Sequence, residues 1–546
     1  MPPRRSHSAR IALAFGGALA LVGCQLSCDG ERAKGAARPE QAGSAGSDAA
    51  AGSSGAAALI APPAETAQQR EAERAIAFLD AGSGALDGLY AGLAAAERGD
   101  GNGRALVLFF GDSHTAGDSL TERVRVLWQR QFGDAGRGFV AAGKPPTRHY
   151  YQRDVHYGRD GTWKAAVGGA RGDSEPFGIA GLRVFGKSKG ARLWVETCAE
   201  CPSGGAVGQF EIFYYAAPDH GALRYRVDDG AWKDLSTRTT AIEPPHPARQ
   251  VVPVPDGPHK LTLEHAGGGE VDLFGVALER VKPGVIVDSL GVVGRRLGSL
   301  RSWDWSVIGD QLATRDPRLV ILQYGTNEAD DPDLVLDDLA RYYDETIARI
   351  RAAAPTASIL ILGPPDMGTR EAGKACDRPK HSTNPGGSGV GSAAVIPECE
   401  WRTPSILPEI ISVEHAAALR NRVAFFDTFA AMGGADQMGA WATADPKVAY
   451  KDRVHFTDLG YGRWADALSG AVLESYARWR RAQSLPPMAP ISAPPPLPAP
   501  ARGSDDLPGA AGHHVDPSEA SSASPPPPAS PSPAPSSPSA PAAAPN

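Results

Sequence analysis

The stretch Ala105-Leu106-Val107-Leu108-Phe109-Phe110-Gly111-Asp112-Ser113-His114 decides the fold. An unbroken apolar run ends abruptly on a glycine, a carboxylate and a hydroxyl. Continuous runs, as opposed to alternating ones, belong to strands buried on both faces, as in a parallel sheet covered by helices. Val285–Val287, Leu319–Gln323, Ser358–Leu362 and Val423–Phe426 read the same way. Helical spacing falls between or after them, at Ser119–Phe132, Leu334–Ala353, Pro408–Asn421 and Tyr461–Arg481. This alternation predicts a doubly wound α/β domain, whose sites lie beyond the C-terminal ends of the strands. Ser113 stands at such an end, with its backbone N–H near the positive start of a helix.

Working outward, the interval 168–282 breaks the rhythm. Segments rich in Val, Tyr, Phe and Leu recur at Gly181–Phe185, Ala191–Glu196, Gln209–Tyr215, Leu223–Val227, Gln250–Pro253, Lys260–His265 and Val271–Glu279. Turn signals such as Asp228-Asp229-Gly230 separate them, and no helical pattern intervenes, so an all-β sandwich inserted into the α/β domain is expected. Its Trp194, Tyr214, Tyr215, Tyr225 and Trp232 can stack on sugar rings or simply fill a core. The α/β domain then comprises 67–167 and 283–482, with a helix pattern from near Glu65 that carries Ala75, Ile76, Leu79, Leu86, Leu89 and Leu93.

The two ends have other compositions. Arg4, Arg5 and Arg10 precede the apolar run Ile11–Leu21, and Leu21-Val22-Gly23-Cys24 follows, so 1–23 reads as an export signal. Leu-Val-Gly-Cys matches the lipobox of bacterial lipoproteins, which makes Cys24 the expected lipidation site and membrane anchor. Residues 24–66 are an Ala/Gly/Ser tether, and 483–546 a Pro/Ala/Ser-rich tail too poor in apolar side chains to order itself. The expected location is the periplasmic side of the envelope, outer-membrane anchored, or the cell surface. In an oxidising compartment Cys198–Cys201 and Cys376–Cys399 are the natural disulfides, with Cys28 left over. The net charge of −7 argues against a nucleic-acid partner. A monomer with no metal and no organic cofactor is expected.

Three further segments turn the serine into a constellation. Gly291-Val292-Val293-Gly294 follows the second strand, and Tyr324-Gly325-Thr326-Asn327-Glu328 the third. Asp452-Arg453-Val454-His455 precedes the last helix; a carboxylate three residues before a histidine can bond the imidazole Nδ1 and leave Nε2 for a serine proton. A second string, Gly117-Asp118-Ser119-Leu120, contains Ser119, which belongs in the first turn of a helix and not at a strand end.

In type and order, Ser113, Gly294, Asn327 and Asp452/His455 resemble the four blocks of the SGNH (GDSL-type) serine hydrolases. The resemblance implies a flavodoxin-like sheet and a serine esterase: Ser113 as nucleophile, His455 as general base and then acid, Asp452 as its orienting partner. It further implies an oxyanion hole from the Ser113 and Gly294 N–H groups and the Asn327 side chain. Two positions depart from the family pattern, His114 where Leu is common and Glu328 where Asp is frequent. The Gly-Asp-Ser-His-Thr start and the insert most resemble bacterial peptidoglycan O-acetylesterases, exported enzymes with a carbohydrate-binding jelly roll after the first block. That branch implies removal of 6-O-acetyl groups from N-acetylmuramoyl residues of an acetylated glycan, through an acetyl-serine. The same blocks also serve O-acetyltransferases and acetylesterases of environmental polysaccharides such as xylan.

Overall fold

A central sheet of five parallel strands with one antiparallel edge strand organises the chain in the computed structural model, which describes residues 75–101, 103–145, 150–169, 176–370, 401–489 and 496. The expected signal, lipidated Cys24, tether, Cys376–Cys399 pair and nearly all of the tail lie outside those residues. The described chain opens with β1 (Leu79–Asp80), α1 (Asp87–Glu97), β2 (Arg104–Gly111), α2 (Ser113–Ala116) and α3 (Ser119–Phe132). There follow β3 (Gly136–Val140), β4 (Val155–Asp160), β5 (Lys164–Val167), β6 (Leu182–Gly186), β7 (Arg192–Thr197), β8 (Val207–Ala216) and β9 (Ala222–Val227). Next come β10 (Lys233–Ser236), β11 (His246–Gly257), β12 (Lys260–Gly267), β13 (Val271–Glu279) and β14 (Gly284–Gly291). The remainder runs α4 (Trp305–Arg315), β15 (Leu319–Gln323), α5 (Thr326–Ala329), α6 (Leu336–Ala353) and β16 (Ser358–Leu362). It ends with β17 (Thr369–Arg370), β18 (Trp401–Arg402), α7 (Leu407–Asn421), β19 (Ala424–Phe426), α8 (Thr428–Met432), α9 (Gln437–Thr443) and α10 (Asp458–Ala482).

The central sheet has the order β1-β19-β16-β15-β2-β14. Counting only its parallel strands in chain order, this is the 2-1-3-4-5 arrangement of flavodoxin-like folds. β2 pairs in parallel with both β14 and β15, so the loops after these three strands meet at the switch point. The continuous apolar pattern of β2 now has its cause. Ala105, Val107 and Phe109 face α1, α3 and α10, whereas Leu106, Leu108 and Phe110 enter the cluster shared with α4, α6 and α7. No helix among the described residues is long and apolar enough to cross a membrane.

Between α3 and β14 lie two antiparallel sheets, β10-β9-β12-β7-β4 and β11-β8-β13-β6-β5, with β3 also paired to β13. Leu193, Val195, Leu223 and Leu261 of the first share one apolar cluster with Val184, Phe210, Ile212 and Leu273 of the second. Tyr225 is buried there, and Trp194 and Trp232 stay half-buried. Because β3, β4 and β5 pair with β13, β7 and β6, this region begins near Gly136 and not at residue 168. These strands evade a periodicity reading. β4 and β5 expose polar side chains, and β3 contains Gly136 and Gly138 at φ +122° and +90°. At Gly138 a Cβ would stand 2.1 Å from Asp288 Oδ1, so only glycine permits β3 this close to β14.

One other expectation is corrected, and one helix is added. The helix expected from near Glu65 is interrupted at Leu79–Asp80, which pair with Phe425 and Phe426 of β19 and complete the sheet edge. Trp305–Arg315 is a helix that the sequence reading passed over; it buries Val307, Ile308 and Leu312.

The insert is joined to the central sheet by apolar contact and buried charge. Phe139, Phe213 and Phe274 pack with Ile286, Leu290 and Trp303. Arg315 of α4 pairs with Glu279 of β13 and, at 2.6 Å, with Asp288 of β14; Arg104 reaches Glu279 at 2.5 Å. Arg315→Met would leave Glu279 and Asp288 buried without their main counter-charge, a loss typically of about 3–5 kcal/mol. The urea midpoint should fall accordingly, and a wild-type unfolding curve for this variant would remove the seam from the stability of the fold.

Candidate active site

Ser113 is the first residue of α2, directly beyond β2. Its neighbour Asp112 caps that helix, its Oδ1 accepting the His114 N–H at 2.9 Å, which turns the chain and presents the Ser113 hydroxyl at the strand end. His455 and Asp452 lie in the loop ahead of α10, whose N-cap Thr457 accepts the Gly460 N–H. Asp452 Oδ1 accepts the backbone N–H groups of Val454 and His455 at 3.0 and 3.1 Å, a local turn that leaves Oδ2 for the imidazole.

The result is a continuous chain. Asp452 Oδ2 lies 2.8 Å from His455 Nδ1, and His455 Nε2 lies 2.8 Å from Ser113 Oγ. An ionised carboxylate can only accept, so Nδ1 carries the proton and Nε2 offers its lone pair to the hydroxyl. Burial alone would raise the Asp452 carboxyl, but the His455 imidazole and the two backbone N–H groups outweigh it and hold the group below the ordinary carboxylate range. Asp452 is thus charged wherever the imidazole needs an anionic partner.

The loops after β14 and β15 bring the other predicted residues to the same end of the sheet. Gly294 is exposed at φ +70°, and Asn327 stands in α5, its Nδ2 donating to the Arg295 carbonyl at 3.1 Å. Ser119 takes no part in the Asp452–His455–Ser113 chain; its hydroxyl donates to Asp458 at 3.0 Å. Cys198 and Cys201 are bonded to each other in the insert.

Around the chain sit groups that the sequence reading left without a role. His114 lies buried against the His455 ring, centroids 5.4 Å apart, with Nδ1 3.1 Å from the Tyr461 hydroxyl. Burial, and secondarily His455, push its imidazole well below the ordinary value, so it is neutral. Asp112 is pushed up to about 7, mainly by burial. Asp118, read only as part of the Gly-Asp-Ser-Leu string, is a buried carboxylate held by Arg125 at 2.9 Å and by Arg137 at 2.7 Å. One signal was available: Arg125 sits between Val124 and Val126, on a helix segment that is buried almost throughout. The insert also reaches the site, since Arg295 Nε donates to the Gly168 carbonyl at 2.9 Å.

The profile of the GDSL-like Lipase/Acylhydrolase family matches residues 262–463, which include Gly294, Asn327, Asp452 and His455 and lie downstream of Ser113. A solved peptidoglycan O-acetylesterase superposes with a TM-score of 0.55 at 24% identity, covering 73% of this chain and 99% of that one. A family two carbohydrate esterase from Cellvibrio japonicus shares 11% identity, covering 62% of this chain and 98% of its own, with a TM-score of 0.23. An acetyl xylan esterase shares 16% identity over 34% of this chain and 80% of its own, also at 0.23. No curated protein sequence matches the chain.

Two outcomes follow from the electrostatics. Asp452→Asn should lower kcat on a small ester by roughly 10⁴-fold, because an amide no longer selects the tautomer with Nε2 unprotonated; activity near wild type would exclude the carboxylate from that task. His114 is depressed in the folded state, so the unfolded chain binds its proton first as pH falls below about 6.5. Its contribution to stability is complete above that value and is lost progressively below it, whereas Asp112, raised when folded, works in the opposite sense over the same range. His114→Leu should therefore be less acid-sensitive than wild type in melting temperature between pH 7 and 5; parallel curves would refute the buried neutral imidazole.

Proposed function

Taking this chain as an SGNH (GDSL-type) serine esterase, we propose that it removes O-acetyl groups from a cell-wall glycan, with the acetylated N-acetylmuramoyl residue of peptidoglycan as substrate. The observation that carries the reading is the Asp452–His455–Ser113 chain, two contacts of 2.8 Å, at the switch point where the Gly294 and Asn327 loops also arrive.

The steps follow from the donors and acceptors. Ser113 Oγ attacks the acetyl carbonyl while His455 Nε2 takes its proton. The carbonyl oxygen becomes an alkoxide facing the Ser113 and Gly294 N–H groups and the Asn327 amide, each such donor being worth about 10²–10³ in rate. Collapse breaks the bond to the sugar oxygen, which leaves with the proton from His455. Water then attacks the acetyl-serine, His455 takes the water's proton and returns it to Ser113 Oγ, and acetate departs. Asp452 stabilises the imidazolium in both halves and stays ionised.

The substrate rests on separate support. The solved structure with a TM-score of 0.55 is a peptidoglycan O-acetylesterase. The Leu21-Val22-Gly23-Cys24 lipobox would hold the enzyme in the envelope beside that polymer, on the periplasmic side or at the cell surface. A two-sheet insert is bonded to the Gly294 loop through Arg295, which would let it contribute to holding a glycan chain beside Ser113.

Acetate release from an aryl acetate by the full chain should fall by several orders of magnitude in Ser113→Ala; undiminished hydrolysis would end the serine-esterase reading. At matched ester concentration, O-acetylated murein should turn over faster than acetylated xylan. The reverse order would reassign the substrate to an environmental polysaccharide.

A further inference from the structure

Glu328 follows Asn327, is wholly buried, and takes no part in the proton path or the set of oxyanion donors. Its two carboxylate oxygens serve different segments. Oε1 accepts the Leu297 N–H at 2.7 Å, and Oε2 accepts the Gly325 N–H at 2.9 Å. Leu297 lies three residues beyond Gly294, and Gly325 lies two residues before Asn327. Further bonds span the same gap. Asn327 Nδ2 donates to the Arg295 carbonyl at 3.1 Å, Arg296 Nε donates to the Asn327 carbonyl at 2.9 Å, and Arg296 Nη1 pairs with Asp331 at 2.6 Å. Gly325 itself is confined: at φ +110° a Cβ would meet Pro364 Cγ at 2.6 Å and Glu414 Oε1 at 2.9 Å.

From these contacts we infer that Glu328 is a positioning residue for the reaction proposed above: its carboxylate clamps the Gly294 loop to the Asn327 loop and sets the spacing of their two oxyanion donors. The inference rests on the esterase reading. The geometry calls for a side chain with two acceptors, no donor, and the length of glutamate. A glutamine would turn an NH₂ group against one of the two N–H donors, and an aspartate is one methylene too short to reach both. Burial pushes the Glu328 carboxyl up, while the Leu297 and Gly325 N–H groups and Arg296 work against that rise. One hydrogen of the Asn327 amide is committed to the Arg295 carbonyl, which fixes its rotation and leaves the other for an alkoxide.

The test is steady-state hydrolysis of 4-nitrophenyl acetate by the full chain as wild type, Glu328→Gln, Asn327→Ala and the double variant. Glu328→Gln should lower kcat by roughly 10²-fold with little change in KM, as for loss of an oxyanion donor. Its acid-side pH profile should match wild type, since the Ser113–His455–Asp452 chain is untouched. In the Asn327→Ala background the same change should cost clearly less, because one donor that it places is already gone. Wild-type kcat in Glu328→Gln, or losses that multiply fully in the double variant, would overturn the clamp. Glu328→Asp keeps the charge and one bond, and guards against misfolding of the glutamine variant. It should lose roughly 10-fold in kcat, about one hydrogen bond's worth, while still unfolding cooperatively, and wild-type kcat there is equally fatal. A wild-type chain inactive on the ester overturns the esterase reading together with the clamp, whereas an active wild type beside an unimpaired Glu328→Gln overturns the clamp alone.

Discussion

The structure depends on one buried carboxylate. Asp118, at the start of α3, accepts hydrogen bonds from Arg125 of its own helix, from Arg137 of β3, from the Arg153 N–H and from the Thr121 hydroxyl, at 2.5–2.9 Å. A lone carboxylate at that depth would be driven to its neutral form. Burial alone would raise it, but the two guanidinium groups prevail and hold it below the ordinary range. Arg125 turns its other arm to Asp154 at 3.0 Å, and Asp154 also accepts from Ser203. Helix, insert and the loop between them are therefore ionically closed around a point five residues from Ser113. Such a cluster is weak evidence for net stability, but removing any one partner strands a buried charge.

The same network extends toward His455. Arg153 pairs with Glu122 of α3 and with Asp458, the first residue of α10, and Ser119 donates to Asp458 as well. Asp458 is three residues beyond His455. The segment bearing Ser113 and the segment bearing His455 are thus tied to each other by these bonds as well as by their own 2.8 Å contact. Ser113 and His455 are half-buried and can meet a substrate, while Asp118, Arg125 and Arg137 beneath them are closed off from water. Donors fixed before the reaction need no reorganisation when charge develops, which is where most of the rate advantage of such sites arises.

The insert is therefore part of the frame of the site and not an appended module. Trp303 lies in a slot that Gly168 and Gly181 leave open; a Cβ at either would stand 2.7 or 2.4 Å from its indole. Arg295, immediately after Gly294, bonds the Gly168 carbonyl, and Ile179 N–H donates to Gln311 of α4 at 2.7 Å.

Much of this was legible in the residues. β15 and β16 fall at the expected limits and α3 covers Ser119–Phe132 as read, because continuous apolar runs and a helical stripe are consequences of burial on a parallel sheet. Ser113 beside a strand end and the Asp452–His455 spacing ahead of a helix are readable from the residues themselves, whereas the parts given to Gly294 and Asn327 come from the resemblance of their blocks to the SGNH hydrolases. Other features had no local signal. β3, β4 and β5 exist through pairing with strands from 15 to 143 residues away, and their side chains carry no period. Asp118, Glu328 and Arg315 look like surface charges in the sequence, and only their distant partners make them interior. The sequence by itself determined the elements whose burial follows from their own spacing, and the residue types of the reaction. Tertiary structure decided which charges are buried and how far apart the donor loops stand, because desolvation and Coulomb energy depend on distances that neighbouring residues do not encode.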